Sequence, residues 1–343
     1  MRKMLNSLYV TSQGAYLFKD RETVCIKIDN EVKMQLPIHT LSSIVCFGQV
    51  SCSPFLLGHC AENGISISFL TVNGRFLARV QGEVCGNVLL RRKQYRLADD
   101  EAASAKIAAM IITGKLANSR HVLKRASRDH SDKLDCEKID NTCRVFSSYI
   151  KKLPQETSLD TIRGIEGVAS SNYFSVFDDL ITSGKDDFRF TSRNRRPPLD
   201  NVNCMLSFIY TLLYHDARSA LESVGLDPAV GFLHRDRPGR LSLALDLMEE
   251  FRAVIADRLT LSLINLKMVN SKGFVQSESG AVKMDDKTRK TIITAYQKKK
   301  QEEITHPFLE EKIPIGMVMF AQAQLLGRYL RGDLDAYPPF IWS

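Results

Sequence analysis

The chain has eight cysteines but no C-x-x-C pair, so a structural zinc ribbon or finger is excluded and buried free thiols are expected. No run approaches the roughly 18 apolar residues that a membrane span requires. No cationic leader followed by an apolar stretch opens the sequence, which points to a reducing cytoplasm. Tryptophan occurs once, at Trp342, and no internal repeat or low-complexity tract is present. Histidine is scarce as well. Of seven, His39, His59, His121, His130 and His306 have no ligand-like spacing. Present instead are 47 Lys and Arg against 39 Asp and Glu, a net charge of +8 that permits a polyanionic partner without requiring one.

At 343 residues the chain exceeds a single hydrophobic core, so two domains are expected, of the α+β class. Residues 1–90 read as a β-rich domain: SLYVTS, AYLFKD, TVCIKID, VKMQLPI, SSIVCFG, ISISFL and RFLARV are short runs of β-branched and aromatic residues. Gln13-Gly14, Lys19-Asp20, Asp29-Asn30 and Asn73-Gly74 supply turns, and PFLLGHCAEN reads as one short helix. Residues 91–100, opened by Arg91, Arg92 and Lys93, read as a basic linker. From 101 to 343 the period is helical, giving a larger all-α domain interrupted by a hairpin near 273–284, with Asp285 placed to cap the helix after it. YPPFIWS cannot be helical through Pro338 and Pro339, and Trp342 is expected to anchor it to the body.

Two basic stripes, Arg120–Lys124–Arg128 and Lys283–Lys287–Lys290 with the run 298–300, sit at helical spacing. Each is a candidate phosphate contact or an ordinary solvated face. Arg193, Arg195 and Arg196, before Pro197-Pro198, lie on a segment suited to gripping a nucleic-acid backbone.

The chemistry is carried by charged groups in apolar surroundings. Glu166 shares a helical stripe with Ala169, Ser170, Tyr173 and Phe177, so it faces inward. Asp246 lies within LSLALDLMEEF, with Glu249 and Glu250 one turn on. Like charges at that spacing repel unless a cation holds them. His234 lies 12 residues before Asp246 in a loop crowded by Arg235, Arg237 and Arg240. One imidazole with two or three carboxylates suits Mn²⁺ or Mg²⁺, and the arginines beside it suit phosphate. Taken singly, each has a plainer reading: Glu166 paired to Arg163, His234 as a loop histidine, Asp246 as the partner of an arginine. Tyr214, His215 and Asp216 end an apolar helix, where core packing for Tyr214 and exposure for His215 are expected.

EGVASSNYF, RRPPLDNVNCMLSFIYTLL, GLDPAVGFLHRDRPGRLSLALDLMEEFR and RGDLDAYPPFIW follow one another as in a known family. Over nearly its whole length the chain resembles the CRISPR-associated spacer-acquisition integrases, and its ending resembles the type I-C-like subgroup. The resemblance implies an N-terminal β domain, a helical catalytic domain and a homodimer around a small ferredoxin-like CRISPR-associated partner. It implies Glu166, His234 and Asp246 as metal ligands, with Glu249 where many relatives carry an additional aspartate, and Tyr214 and Arg240 close to the catalytic centre. Arg120, Lys124, Arg128, Arg193, Arg195, Arg196, Arg235, Arg237, Lys287 and Lys290 are the candidate DNA contacts. The implied reaction joins the 3′ hydroxyl of a double-stranded DNA fragment to CRISPR repeat DNA by transesterification. The competing reading is a basic, dimeric DNA-binding scaffold whose acidic cluster is only a structural ion network.

Overall fold

A computed structural model describes residues 6–72, 76–80, 82 and 88–342, and these fall into two compact units, Met1–Gly86 and Asn87–Ser343. Among them no helix is long and apolar enough to cross a membrane.

The first unit holds two four-stranded sheets. β1 (Asn6–Val10), β5 (Leu41–Phe47), β7 (Ser66–Leu70) and β8 (Phe76–Val80) lie side by side in that order, parallel except for the last pair. β4 (Glu31–Pro37), β3 (Thr23–Ile28), β2 (Ala15–Asp20) and β6 (Val50–Cys52) form the other. Asp29 and Asn30 both adopt left-handed φ, +49° and +67°, which closes β3 onto β4 through a two-residue loop. Helix α1 (Pro54–Glu62) starts where Ser53 accepts the Leu56 amide and proline fills its first position. Leu17, Val24, Ile26, Ile44, Cys46, Leu56 and Ile67 close one core between these elements. The expected turn at Asn73-Gly74 lies outside the described residues, as does Cys85, and the short strand β6 was not anticipated.

In the second unit the expected basic linker is absent: Arg91, Arg92 and Lys93 belong to helix α2 (Val88–Asp99), whose amphipathic pattern buries Leu90 and Gln94. It is followed by α3 (Glu101–Asp129), α4 (Cys136–Lys152), α5 (Leu159–Ser175), α6 (Asn201–Ser223), α7 (Ser242–Glu249), α8 (Arg258–Asn265), α9 (Asp286–Gln301) and α10 (Ile315–Arg331). A wide, π-type turn at Arg252–Asp257 joins α7 to α8. The hairpin β9 (Phe274–Gln276) and β10 (Val282–Met284) is where the turn residues placed it, and Asp285 accepts the Thr288 amide at the start of α9. A second hairpin, β11 (Glu303–Thr305) and β12 (Lys312–Pro314), makes the unit less purely helical than its periodicity implied.

Helix α3 runs through the core of this unit. Its buried face is built from Ala105, Ala108, Ala109, Ile112 and Leu116, mostly small residues that let neighbours approach closely. At Gly114 an added Cβ would lie 3.0 Å from Pro339 Cβ and 3.2 Å from Glu250 Cγ, so glycine there admits the C-terminal segment. His215, expected at the surface, is buried, because α6 is packed on more than one side. Its neighbour Asp216 receives Lys300 Nζ at 2.8 Å and Tyr296 Oη at 2.7 Å, tying α6 to α9.

Candidate functional site

The site is assembled from α3, α5, the loop 224–241 and α7. Helix α2 fixes the near end of that loop, since the buried Gln94 amide donates to Asp227 O and Val230 O at 2.8 Å each and accepts the Asp227 amide at 2.9 Å. The chain then passes so close to α7 that a Cβ on Gly231 would fall 2.7 Å from Asp246 Oδ2. Arg163 holds the outer side, donating through Nε to Leu233 O at 2.7 Å and through Nη1 to Asp160 rather than to Glu166.

Asp246, fully buried, receives three successive backbone amides of this loop. Oδ2 accepts from Phe232 N at 2.7 Å and Leu233 N at 3.0 Å; Oδ1 accepts from His234 N at 3.0 Å. Oδ1 also lies 2.6 Å from His234 Nδ1. Four donors thus engage its two oxygens as the side chains stand. Its place is behind the histidine. A carboxylate acceptor assigns the proton to Nδ1 and leaves Nε2 as a free lone pair. That Nε2 is 4.0 Å from Glu249 Oε1.

Glu249 is the carboxylate of α7 that enters the site. Its Oε2 lies 2.9 Å from Lys115 Nζ, and its Oε1 lies 2.9 Å from Arg252 Nη2. Lys115, buried in α3, also pairs with Glu166 Oε1 and donates to Ser170 Oγ at 2.9 Å, while Ser170 donates to Glu166 Oε1 at 2.8 Å. An ammonium thus already sits between the two glutamates. Burial opposes the charge on Lys115, but Glu249 and Glu166 outweigh it and hold the pKa above the ordinary lysine value. Burial likewise opposes ionisation of Glu249, yet Arg252, Lys115 and His234 prevail and hold it below the ordinary value. As the side chains stand, no group of three His, Cys, Asp or Glu donors among the described residues is close enough to bind one ion. Glu166 and Glu249 share Lys115, and His234 Nε2 faces the other oxygen of Glu249, so the residues gathered here are two carboxylates and an imidazole, a donor chemistry that fits Mg²⁺ or Mn²⁺.

Behind Arg252 lies a network that sequence reasoning missed. Its guanidinium is 5.1 Å from the Tyr210 ring centroid, and Tyr210 Oη donates to Asp257 Oδ1 at 2.7 Å. Burial pushes the Asp257 carboxyl up to about 6 against the hydrogen bonds from Tyr210 and Tyr173. Arg252 and Asp257 are five residues apart, one turn of the π-type segment that brings both onto Tyr210. The only sequence signal was a set of charged residues inside apolar helices: Lys115 in MIITGKLANS, Arg252 and Asp257 in FRAVIAD.

The arginines divide. Arg240 senses burial first, then the charges of Arg237, Asp246, Arg195 and Arg196, so these four guanidinium groups occupy one region beside the loop, with Tyr214 close to Arg240. Arg193, expected to grip DNA, instead turns inward: it donates to Asn203 Oδ1 at 2.7 Å and Ser207 Oγ at 3.1 Å and covers the Tyr210 ring. Arg235 is exposed and paired to Asp160. Arg120 donates to Ser147, whereas Lys124, Arg128, Lys287 and Lys290 are exposed. From the run 298–300, Lys300 is buried on Asp216 and Lys299 pairs with Glu302, leaving only Lys298 free for the solvent face.

Residues 8–298 match the family described as CRISPR associated protein Cas1. The chain is 58% identical, over the full length of both, to CRISPR-associated endonuclease Cas1 1 of Chlorobaculum tepidum. Among solved structures it is similar to a Cas1 protein from Thermotoga maritima, with a TM-score of 0.81 at 25% identity, covering 97% of this chain and 99% of that one. The same fold, at a TM-score of 0.81 and 24% identity, occurs in a casposase bound to integration product, covering 100% of this chain and 95% of that one.

Proposed function

This chain belongs to the CRISPR-associated Cas1 family, and we propose that it is a metal-dependent DNA integrase that joins 3′ hydroxyl ends of short DNA fragments to the CRISPR repeat by transesterification. One observation carries the reading: Glu166 and Glu249 share a buried cation, Lys115, and His234 Nε2 lies 4.0 Å from the other oxygen of Glu249.

In this mechanism Glu166, Glu249 and His234 hold Mg²⁺ or Mn²⁺, which when bound supplies charge neutralisation at the phosphate and a lower pKa for the attacking hydroxyl. The chain's own groups do the rest. Asp246 fixes the tautomer and direction of His234, so that Nε2 faces inward at all times. Lys115 and Arg252 keep Glu249 ionised in a buried setting, and Lys115 also pairs with Glu166. Arg195, Arg196, Arg237 and Arg240 stabilise the negative charge that grows on the phosphate, from the solvent side. Tyr214, beside Arg240, borders the same region. Affinity for DNA comes from many phosphate contacts and is largely separate from turnover. Assembly as a homodimer with a small ferredoxin-like CRISPR-associated partner belongs to the same proposal.

The scaffold reading retains one specific support, since Lys115 by itself completes an ion network with both glutamates. Branched DNA labelled at a 3′ end separates the two. Joined or released products should form with Mn²⁺ or Mg²⁺ and vanish with chelator and in His234→Ala, with DNA affinity within a few fold of the parent. Equal product with and without chelator, or in the variant, overturns the integrase reading.

A further inference from the structure

Helix α3 continues past the site into a second cluster of cations. Arg258, at the start of α8, lies with its guanidinium carbon 5.5 Å from the Trp342 ring centroid, and Lys299 Nζ lies 5.9 Å from the same centroid. Both cations therefore flank the chain's single tryptophan, which is half-buried and held in place because its amide donates to Asn118 Oδ1 at 2.7 Å. From α3, Arg125 and Arg128 face the same region. Burial and then Arg125 lower the pKa of Arg258, with Glu302 and Asp129 acting in the opposite sense. His121, between them, is held below the ordinary histidine value by burial and then by Arg258, Arg125 and Arg128.

Two carboxylates offset this cluster only in part. Asp129 engages Arg125 at 3.3 Å and Arg128 at 3.0 Å, and Glu302 engages Lys299 at 2.5 Å. Arg258 Nη1 and His121 Nε2 are left with no hydrogen-bond partner among the described residues. Both of these atoms are enclosed, and the anion is called for by the balance of charge around them: Arg125, Arg128, Arg258 and Lys299 face only Asp129 and Glu302 among the described residues, an excess of positive charge that an anion offsets. Cations stacked beside an aromatic ring are the pairing found in grooves that track a nucleic-acid strand.

We infer that Arg125, Arg258, Lys299 and Trp342 form a phosphodiester-binding subsite for DNA, separate from the residues around Glu166 and Glu249. The inference rests on the DNA-integrase reading and extends the path of the DNA along α3.

Trp342 is its own reporter, because no other tryptophan contributes to emission. The full-length protein in chelator is titrated with branched DNA, with fluorescence anisotropy of the labelled DNA reporting binding and tryptophan emission reporting the subsite. Emission should fall in step with anisotropy. Arg125→Gln combined with Arg258→Gln should reduce that quenching at saturation and lower the slope of log affinity against log salt by roughly 0.9 per lost phosphate contact. Arg125→Gln alone, an exposed change, should give about half that slope change if the double variant folds poorly. DNA that binds with Trp342 emission unaltered, or a slope equal to the parent's in both variants, overturns the subsite and leaves the integrase reading intact. Absence of any DNA binding at low salt overturns both.

Discussion

Glu249 and Glu250 are adjacent in sequence, both fully or almost fully buried, and opposite in chemistry. Glu249 lies between Lys115 and Arg252 and stays ionised. Glu250 has no cation beside it among the described residues. Its Oε1 accepts Tyr337 Oη at 2.7 Å, and its Oε2 accepts the Phe340 amide at 2.6 Å and Gln322 Nε2 at 3.2 Å. Burial then pushes its carboxyl up to about 8 despite those hydrogen bonds. Asn118 completes this second region by donating to Glu250 O at 2.7 Å and Phe340 O at 2.8 Å. A charged region and a neutral one that fastens the C-terminal segment thus meet at one peptide bond, and partners decide the charge state where burial alone would not.

The strongest break of this contrast is Glu249→Gln. With one of the two carboxylates gone, Lys115 and Arg252 remain buried with too little negative charge, and the expected loss is about 3–5 kcal/mol of stability in urea unfolding, accompanied by loss of metal-dependent product. A smaller effect is expected from Glu250→Leu. It leaves Tyr337, Phe340 and Gln322 without their acceptor, a loss on the order of 2–3 kcal/mol, together with faster proteolysis beyond Gly332. An unchanged urea midpoint would show that the C-terminal segment is held by apolar contacts alone.

The finest test is pH. A carboxyl whose folded pKa is raised binds its proton more tightly in the folded state. Its contribution is therefore full below the ordinary glutamate range and is lost as pH rises through about 8. Stability should fall by about 1 kcal/mol per unit between pH 6 and 8 from this group. Glu250→Gln should stay as stable as the parent near pH 6 and show a flatter profile, because an amide can present its oxygen to Phe340 and Gln322 and its nitrogen to Tyr337. A variant profile as steep as the parent's would place the titration elsewhere.

Much of the first unit was readable in sequence because strand alternation and left-handed turns are local: Asp29-Asn30, Ser53-Pro54 and the runs of β-branched residues each carry their own instruction. The site was readable in part. Glu166, His234, Asp246 and Glu249 stood out as charges in apolar segments, but spacing along the chain does not say which oxygen is already taken. Asp246 accepts amides from three residues of a loop whose close approach depends on Gly231, and nothing local announces that. Lys115 was invisible as a partner because its acceptors lie 51 and 134 positions away. Arg193 illustrates the reverse error. Among basic and proline residues it looked like a DNA contact, yet its acceptors Asn203 and Ser207 lie on the helix that follows.

Helix α3 sets a fixed distance. Lys115 and Arg125 are ten residues apart on one uninterrupted helix, which at 1.5 Å per residue is about 15 Å. A strand of DNA advances about 3.4 Å per nucleotide, so one reaching from the glutamates to Arg125 has roughly four or five nucleotides between the two. The rod thereby acts as a ruler. On the integrase reading with the proposed subsite, the length of strand between the two is set by helix geometry, and a change in loop sequence elsewhere would not alter it.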